Sequence, residues 1–322
     1  MAGISAEAFA HGESIRGGGA GSINTIGAEI RTNPGIGMRW DQRNYEQFSD
    51  QQMLGFRNQG EDVHMHSKED SAFLAFGFPV NKDMDLTILA QYNRFKGFVD
   101  NGDEYASACF GLNQNGLPTQ NAQNANCLSK TSTSQGLGDT LVLGRYRFYN
   151  HNDHQLAAVF GTILPTGTIR KRTNNGDLIG THNQPGSGAI TMQGGLAYTA
   201  HLTGKIALDA DIIARVPTMG AKQFRSGRSI QADAAISYNH DGFLVPVLEV
   251  NAISNESDIE NDEVKKNSGG DVVYLSPGIT MHLKDKGSVY ASVMYPVYQK
   301  LGGISNNETW RFSLGWGYGF GK

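Results

Sequence analysis

The chain has 322 residues and carries 27 Lys and Arg against 31 Asp and Glu, a formal net charge of −4. That balance excludes the clustered basic surface a nucleic-acid partner needs, and the longest basic run is Arg170-Lys171-Arg172. No stretch approaches the ~18 consecutive apolar residues of a membrane helix, so a helical membrane protein is excluded as well. Mean hydropathy is −0.38 with 18% charged residues. An average this polar still suits strands that alternate lipid-facing apolar and lumen-facing polar side chains.

Met1–Gly35 is small, Gly-rich and polar. It lacks the apolar core of a secretory signal, so an outer-membrane destination implies a leader outside the given sequence. The segment reads as a linker or as a plug for the lumen. Gly17-Gly-Gly-Ala-Gly21 matches a phosphate-cradling loop in composition only, without Gly-Lys-Ser/Thr or a strand–loop–helix setting.

From Ile36 onward the pattern is period two. Successive side chains of a strand point to opposite faces, and apolar residues hold one face through most of the chain. The less regular candidates come first: Ile36–Phe48, His64–Phe78, Asp85–Phe98, Leu137–Tyr149, Gln155–Thr166 and Gly188–Ala200. In Lys205–Val216, Ile206, Leu208, Ala210, Ile212, Ala214 and Val216 oppose Lys205, Asp209, Asp211 and Arg215. Ile230–Tyr238, Phe243–Ala252, Val272–Leu283 and Ser288–Tyr298 alternate in the same way. In the last candidate, Thr309–Phe320, Trp310, Phe312, Leu314, Trp316, Tyr318 and Phe320 share one parity. Arg311, Ser313, Gly315, Gly317 and Gly319 share the other. Aromatic residues near strand ends match the girdles of membrane barrels.

These segments make about twelve strands, and single-chain bacterial barrels have an even number. The connections alternate. Short links fall at Pro79–Met84, Asn150–His154, His201–Gly204, His240–Gly242 and Lys284–Gly287. Long polar links fall at Ser49–Val63, Val99–Gly136, Gly167–Ser187, Pro217–Arg225, Asn255–Gly270 and Leu301–Glu308. Short periplasmic turns and long extracellular loops are the mark of a membrane barrel. The sequence therefore predicts an all-β fold: a closed, antiparallel, up-and-down transmembrane β-barrel over residues 36–320, behind a 1–35 N-terminal segment. Thr309–Phe320 should close it by pairing with Ile36–Phe48, with the aromatic parity outward. Pro246, Pro277 and Pro296 fall inside strands. A closed barrel has no edge to receive them, so bulges are expected there.

Arg39, Asp41, Arg145, Arg147, Asp209, Asp211, Arg215, Asp233 and Glu249 fall on the inward parity. They are the candidate lumen lining. As a pore lining they would set the local field and ion preference; as an ion-paired network they would fill a narrow barrel. Asp209 and Asp211 resemble a paired-carboxylate site but stand beside Lys205 and Arg215 as a charge ladder. Cys109 and Cys127 lie in one polar loop. Such a pair suits a disulfide in an oxidising compartment, two unpaired thiols being the alternative. His64-Met65-His66 offers imidazoles at i, i+2 and a thioether that could take copper; a polar strand top at the rim is the more ordinary reading. The sequence has no nucleophile–His–acid order, no His-Glu-x-x-His and no repeated Cys-x-x-Cys, and neither an enzyme nor a cofactor is expected.

Four stretches then combine: Gly136-Leu-Gly-Asp-Thr-Leu-Val-Leu-Gly-Arg-Tyr-Arg-Phe148, Phe160-Gly-Thr-Ile-Leu-Pro-Thr-Gly167, Gln184-Pro-Gly-Ser-Gly188 and Asn267-Ser-Gly-Gly-Asp-Val-Val-Tyr-Leu-Ser-Pro-Gly278. With Ser22–Gly27, Phe48–Asp50 and Gly60–His64, they resemble the outer-membrane transporter family named for the meta-pathway of phenol degradation, collinearly over residues 20–320. The chain departs from outer-membrane habit in running Gly321-Lys322 past its last aromatic residue. The resemblance implies a barrel of the Gram-negative outer membrane that moves small molecules, hydrophobic ones included. The expected partners are outer-membrane lipid and a small-molecule solute, with a protein bound through the loops or the N-terminal segment as a further prospect. The alternative is a non-conducting barrel that serves as a scaffold or partner-binding sleeve.

Overall fold

The computed structural model describes residues 22–61, 63–65, 67–100, 132–172, 179–239, 243–283 and 287–320. Among them are twelve long strands: β1 Gly35–Tyr45, β2 Lys68–Asn81, β3 Met84–Asp100, β4 Thr140–His151, β5 His154–Leu164, β6 Thr191–His201, β7 Ile206–Pro217, β8 Ser229–Tyr238, β9 Leu244–Asn255, β10 Gly270–Leu283, β11 Gly287–Leu301 and β12 Glu308–Gly319. Each pairs antiparallel with its neighbours in sequence. The circle closes where β1 pairs with β12, in register from Gly35↔Gly319 to Asn44↔Trp310. This is the all-β, closed, up-and-down barrel that the alternation predicts, and no backbone edge is left along its twelve strands.

Side-chain parity decides which face meets lipid. On β12, Trp310, Leu314, Trp316 and Tyr318 are exposed, whereas Arg311, Ser313, Gly315, Gly317 and Gly319 are buried. On β7, Ile212, Ala214 and Val216 are exposed, and Asp209, Asp211, Ile213 and Arg215 are buried. A water-soluble protein inverts this order. Apolar residues outside and charges inside are stable where the exterior solvent is hydrocarbon.

The short links are the turns at one end. Between β4 and β5, Asn152 and Asp153 take φ of 46° and 64°, as a two-residue hairpin turn requires. The long connections all leave the opposite end. Short turns face the periplasm in such barrels, so residues 35 and 319 lie on the periplasmic side and the long loops outside.

Two features depart from the sequence reading. The first long loop contains a helix, α1 (Asp50–Asn58). Ser49 Oγ accepts from Gln52 N at 3.3 Å while Gln52 Oε1 accepts from Ser49 N at 2.9 Å, a reciprocal capping box. Met53 buries beneath it with Val63, Phe48, Phe56 and Ile304. The proline expectation holds only in part. A register shift lies beside Pro296, but β9 and β10 pair without a shift through Pro246 and Pro277. The β10–β11 ladder instead skips Ser276 and Pro277, where the ring leaves no N–H to donate.

A bulge also divides the fourth barrel strand. Ser132–Leu137 pairs with the upper half of β3 and Thr140–His151 with the lower half. Gly138 N still bonds Gln91 O at 2.8 Å across the break, so the wall stays hydrogen-bonded and Asp139 is the extra residue.

Candidate channel lumen

Alternation places the interior side chains. Arg39, Asp41, Arg145, Asp209, Asp211, Arg215, Asp233 and Glu249 are all buried on the inward parity. Arg39 Nε meets Asp41 Oδ1 at 2.6 Å. Arg145 grips Asp85 with two bonds, Nε–Oδ1 at 3.0 Å and Nη2–Oδ2 at 2.6 Å. Arg215 donates to Gln193 and Gln231 at 3.1 and 3.0 Å. Asp233 accepts from Gln231 and, at 3.2 Å, from Asn251. Asp209 accepts from Thr199 Oγ1 at 2.5 Å. Arg147 differs from the rest. A register shift follows it, and it bonds Lys82 O and Asp83 Oδ1 at the periplasmic turn, so the structure sets it on the rim.

Sequence reasoning missed a second ionic group nearer the extracellular mouth. Arg311 bonds Glu308 twice, at 3.1 and 2.9 Å, and donates to Tyr274 Oη at 3.0 Å; Tyr274 donates to Glu308 at 2.9 Å. Arg43 faces Glu69 at 3.5 Å. Arg43 shares the parity of Arg39 and Asp41, so the signal that selected those two also covered it. Buried charges of this kind persist only when paired and hydrogen-bonded.

The segment Ser22–Pro34 precedes β1, and its backbone meets inward side chains from across the barrel. Glu249 Oε1 accepts from Ile23 N at 2.7 Å and from Asn24 N at 3.0 Å, and Glu249 Oε2 from Asn24 Nδ2 at 2.5 Å. Asp211 Oδ2 accepts from Ile26 N at 2.6 Å, Thr199 Oγ1 from Ala28 N at 2.9 Å and Asp85 Oδ2 from Arg31 N at 2.9 Å. In return Arg39 donates to Ile23 O at 3.1 Å and Arg145 to Gly27 O at 3.0 Å. His201 and Glu29 meet at 2.8 Å. The carboxylates thus bind main-chain N–H groups, and the arginines bind main-chain carbonyls. Backbone recognition places few demands on side chains, which is why the sequence of this segment gave little hint of it. The Arg31 guanidinium sits against Gly77, where a Cβ would stand 2.6 Å from its central carbon; a larger residue there would push Arg31 aside.

The interior has two unlike walls. Phe73, Ala75, Leu89, Leu141, Leu143, Val159, Ile163, Ala197 and Ile213, from β2 to β7, form one apolar cluster with Ile26 of the N-terminal segment. The facing wall, β8 to β12 and β1, presents Gln231, Asp233, Glu249, Asn251, Ser276, Ser292, Ser313, Arg39 and Asp41 at the same mid-height. Ile23 inserts among Ala235, Val245, Val247 and Tyr290 nearer the periplasm.

Above the apolar wall, Asp139 of the bulge accepts from Gly167 N at 2.8 Å, Ser187 N at 2.8 Å and Ser187 Oγ at 2.6 Å. Asn93, buried on β3, donates to Pro185 O at 2.9 Å. The Gln184–Gly188 stretch is therefore drawn into the mouth, and the bulge is the device that aims Asp139 at it. Cys109 and Cys127, and with them the expected disulfide, lie outside the described residues. So does His66, together with the side chains of His64 and Met65, whose backbone pairs with Val99–Asp100. Among the described residues no cluster of three metal-ligating side chains occurs, and no helix is long and apolar enough to cross a membrane.

A closed twelve-strand barrel with an apolar exterior and a charged interior is a transmembrane β-barrel of the bacterial outer membrane. The chain belongs to the family described as the putative MetA pathway of phenol degradation, whose model matches residues 77–312. No curated protein matches it. Among solved structures it is similar to the COG4313 outer membrane channel from Pseudomonas putida F1, at 12% identity and a TM-score of 0.65, over 93% of this chain and 100% of that one. A KdgM porin aligns at 8% identity and a TM-score of 0.46, over 89% and 99%. The CymD monoaromatic hydrocarbon channel aligns at 9% and 0.43, over 96% and 97%.

Proposed function

We propose that the protein is an outer-membrane channel for small molecules that carry apolar surface, and that Ser22–Pro34 forms its constriction. The observation that carries this reading is the uneven interior: an apolar cluster from β2–β7, interrupted by Asp85, Arg145 and Asp211, faces a polar and charged wall, with the segment lying between them and held mainly by its backbone. A barrel stabilised only by its own packing has no need of side chains aimed at a separate strip of chain. The similar Pseudomonas putida barrel is described as an outer membrane channel, which agrees with this reading. Twelve strands enclose a bore between those of filled eight-stranded barrels and open porins, so a strip of extended chain is enough to govern it. In this scheme Arg39, Asp211 and Glu249 hold the segment and, with Asp41, Asp209, Arg215 and Asp233, set the field along the path, Arg145 fixes its middle, and Arg147 braces the rim.

The second reading, a non-conducting scaffold, draws on the pairing of Arg145–Asp85 and Arg311–Glu308, which would fill the lumen permanently. Liposome swelling with a series of small solutes separates the two. A channel gives solute-dependent swelling that rises when residues 22–34 are deleted. A filled scaffold gives none with or without them.

A further inference from the structure

Outward positions on β2 run Val80, Phe78, Phe76, Leu74 and Ala72 from the periplasmic side, then change to Asp70 and Lys68. On β3 they run Leu86, Ile88, Ala90 and Tyr92, then Arg94 and Lys96. The registers Asp70↔Arg94 and Lys68↔Lys96 set these as two rungs directly above the apolar belt. With a rise of ~3.3 Å per residue and a tilt near 40°, the rungs stand about 5 and 10 Å above the belt's upper edge. That is headgroup height in the outer leaflet.

The charges there are arranged against their own interest. Lys68 and Lys96 face each other across the ladder, and like charges directly opposite destabilise a sheet. Asp70 bonds only one of them, although its charge also acts on Lys68: its Oδ2 takes Lys96 Nζ at 2.6 Å and its Oδ1 takes Gln42 Nε2 at 3.0 Å. Each oxygen thus holds one donor from a side chain other than Lys68. Arg94, fully outward, and Lys68 have no ion-pair partner among the described residues. The site is also fixed in place. Ser67 N and Ser67 Oγ both donate to Lys96 O at 3.0 Å. Gly97 follows with φ +64°, where a Cβ would stand 2.2 Å from Ser67 Oγ, so a side chain there would be strained and would displace Ser67. The far side of the barrel is different: Leu164, Ile190, Met192, Val216 and Ile230 carry apolar surface up to the same rim.

We propose that Lys68, Arg94 and Lys96 form a binding site for the phosphate groups of the phosphorylated glycolipid in the outer leaflet. Arg94 supplies a planar fork for two phosphate oxygens, and the two lysines add point charges one rung above. An anion seated between them removes the part of the Lys68–Lys96 repulsion that the single carboxylate of Asp70 does not offset. The site lies on the outer wall and is independent of what crosses the lumen.

The test uses the full chain in detergent with lipid A carrying both phosphates, dephosphorylated lipid A, and native mass spectrometry to count bound lipid. The phosphorylated form should be retained at least tenfold more than the dephosphorylated one. K68Q/R94Q/K96Q should remove that difference, R94Q alone should lower it severalfold, and K300Q, a rim lysine on β11, should leave it unchanged. The proposal is overturned if the two lipids are retained equally by the unmodified chain. It is also overturned if the triple variant, or R94Q where the triple variant does not fold, keeps the full preference, or if K300Q abolishes it.

Discussion

Replacing Glu249 with alanine removes the carboxylate that holds the first turn of the N-terminal segment. Three donors converge on it: Ile23 N at 2.7 Å, Asn24 N at 3.0 Å and Asn24 Nδ2 at 2.5 Å. Hydrogen bonds to a charged group are worth about 1.5–3 kcal/mol each. The lumen is polar on this side, and water will replace part of the loss, so about 3 kcal/mol is a reasonable net for the two backbone bonds. That corresponds to a rise of about a hundredfold in the detached population, at 1.4 kcal/mol per tenfold. Glu249→Gln keeps an acceptor oxygen and loses the charge, and should give a rise of about tenfold. Single-channel recording in planar bilayers reads the open fraction, and hydrogen exchange at Ile23, Asn24 and Ile26 reads detachment. Both should rise together, alanine above glutamine. Faster exchange with unchanged conductance would refute the argument that the segment governs the bore. Unchanged exchange would refute the claim that Glu249 holds it.

Arg145→Ala takes from buried Asp85 its two-bond partner, leaving it the Arg31 N–H and the Arg31 charge, and releases Gly27 O. Breaking such a pair costs about 3–5 kcal/mol, which should lower the temperature at which the folded, fast-migrating band is lost in electrophoresis. Gly77→Leu drives a side chain into Arg31 and should accelerate exchange at Arg31 N while the barrel's unfolding temperature stays unchanged. Ser49→Ala removes the cap of α1 at a cost of about 1 kcal/mol; it should speed proteolysis within residues 50–58 and leave solute flux as it was. Leu314→Arg puts a charge on the lipid face, which costs about 2–4 kcal/mol near the bilayer midplane, and should impair insertion into vesicles as read by tryptophan fluorescence.

The barrel was legible because parity is a one-bit signal repeated along every strand, strongest where glycine and aromatic residues alternate, as in β12. The alternation of short and long links supplied the topology. Interior charges were legible by the same parity, and Arg39, Asp41, Asp211 and Glu249 fall where it put them. The partners of Arg39, Asp211 and Glu249 were not, because they are met by the backbone of residues 23–26, and a main-chain N–H or carbonyl leaves no trace in composition. Arg147 keeps the inward parity opposite Ala157, but its guanidinium reaches Lys82 O and Asp83 at the periplasmic turn, and parity does not tell height along the strand. The helix α1 was missed even though Ser49-x-x-Gln52 is a capping signal, because the loop around it is polar and its apolar residues are few. The role of Asp139 was hidden for a related reason: a bulge residue belongs to neither face of the alternation.

The central claim is that Ser22–Pro34 closes a bore which is otherwise passable. Cysteines at Ala28 and Thr199, whose N and Oγ1 lie 2.9 Å apart, allow the segment to be tethered to β6 by a short thiol crosslinker and released by a reductant. Conductance recorded on the same bilayer before and after reduction tests it directly. Near-silent channels that recover unmodified conductance on reduction are the predicted result. Equal conductance in the tethered and released states would contradict the account.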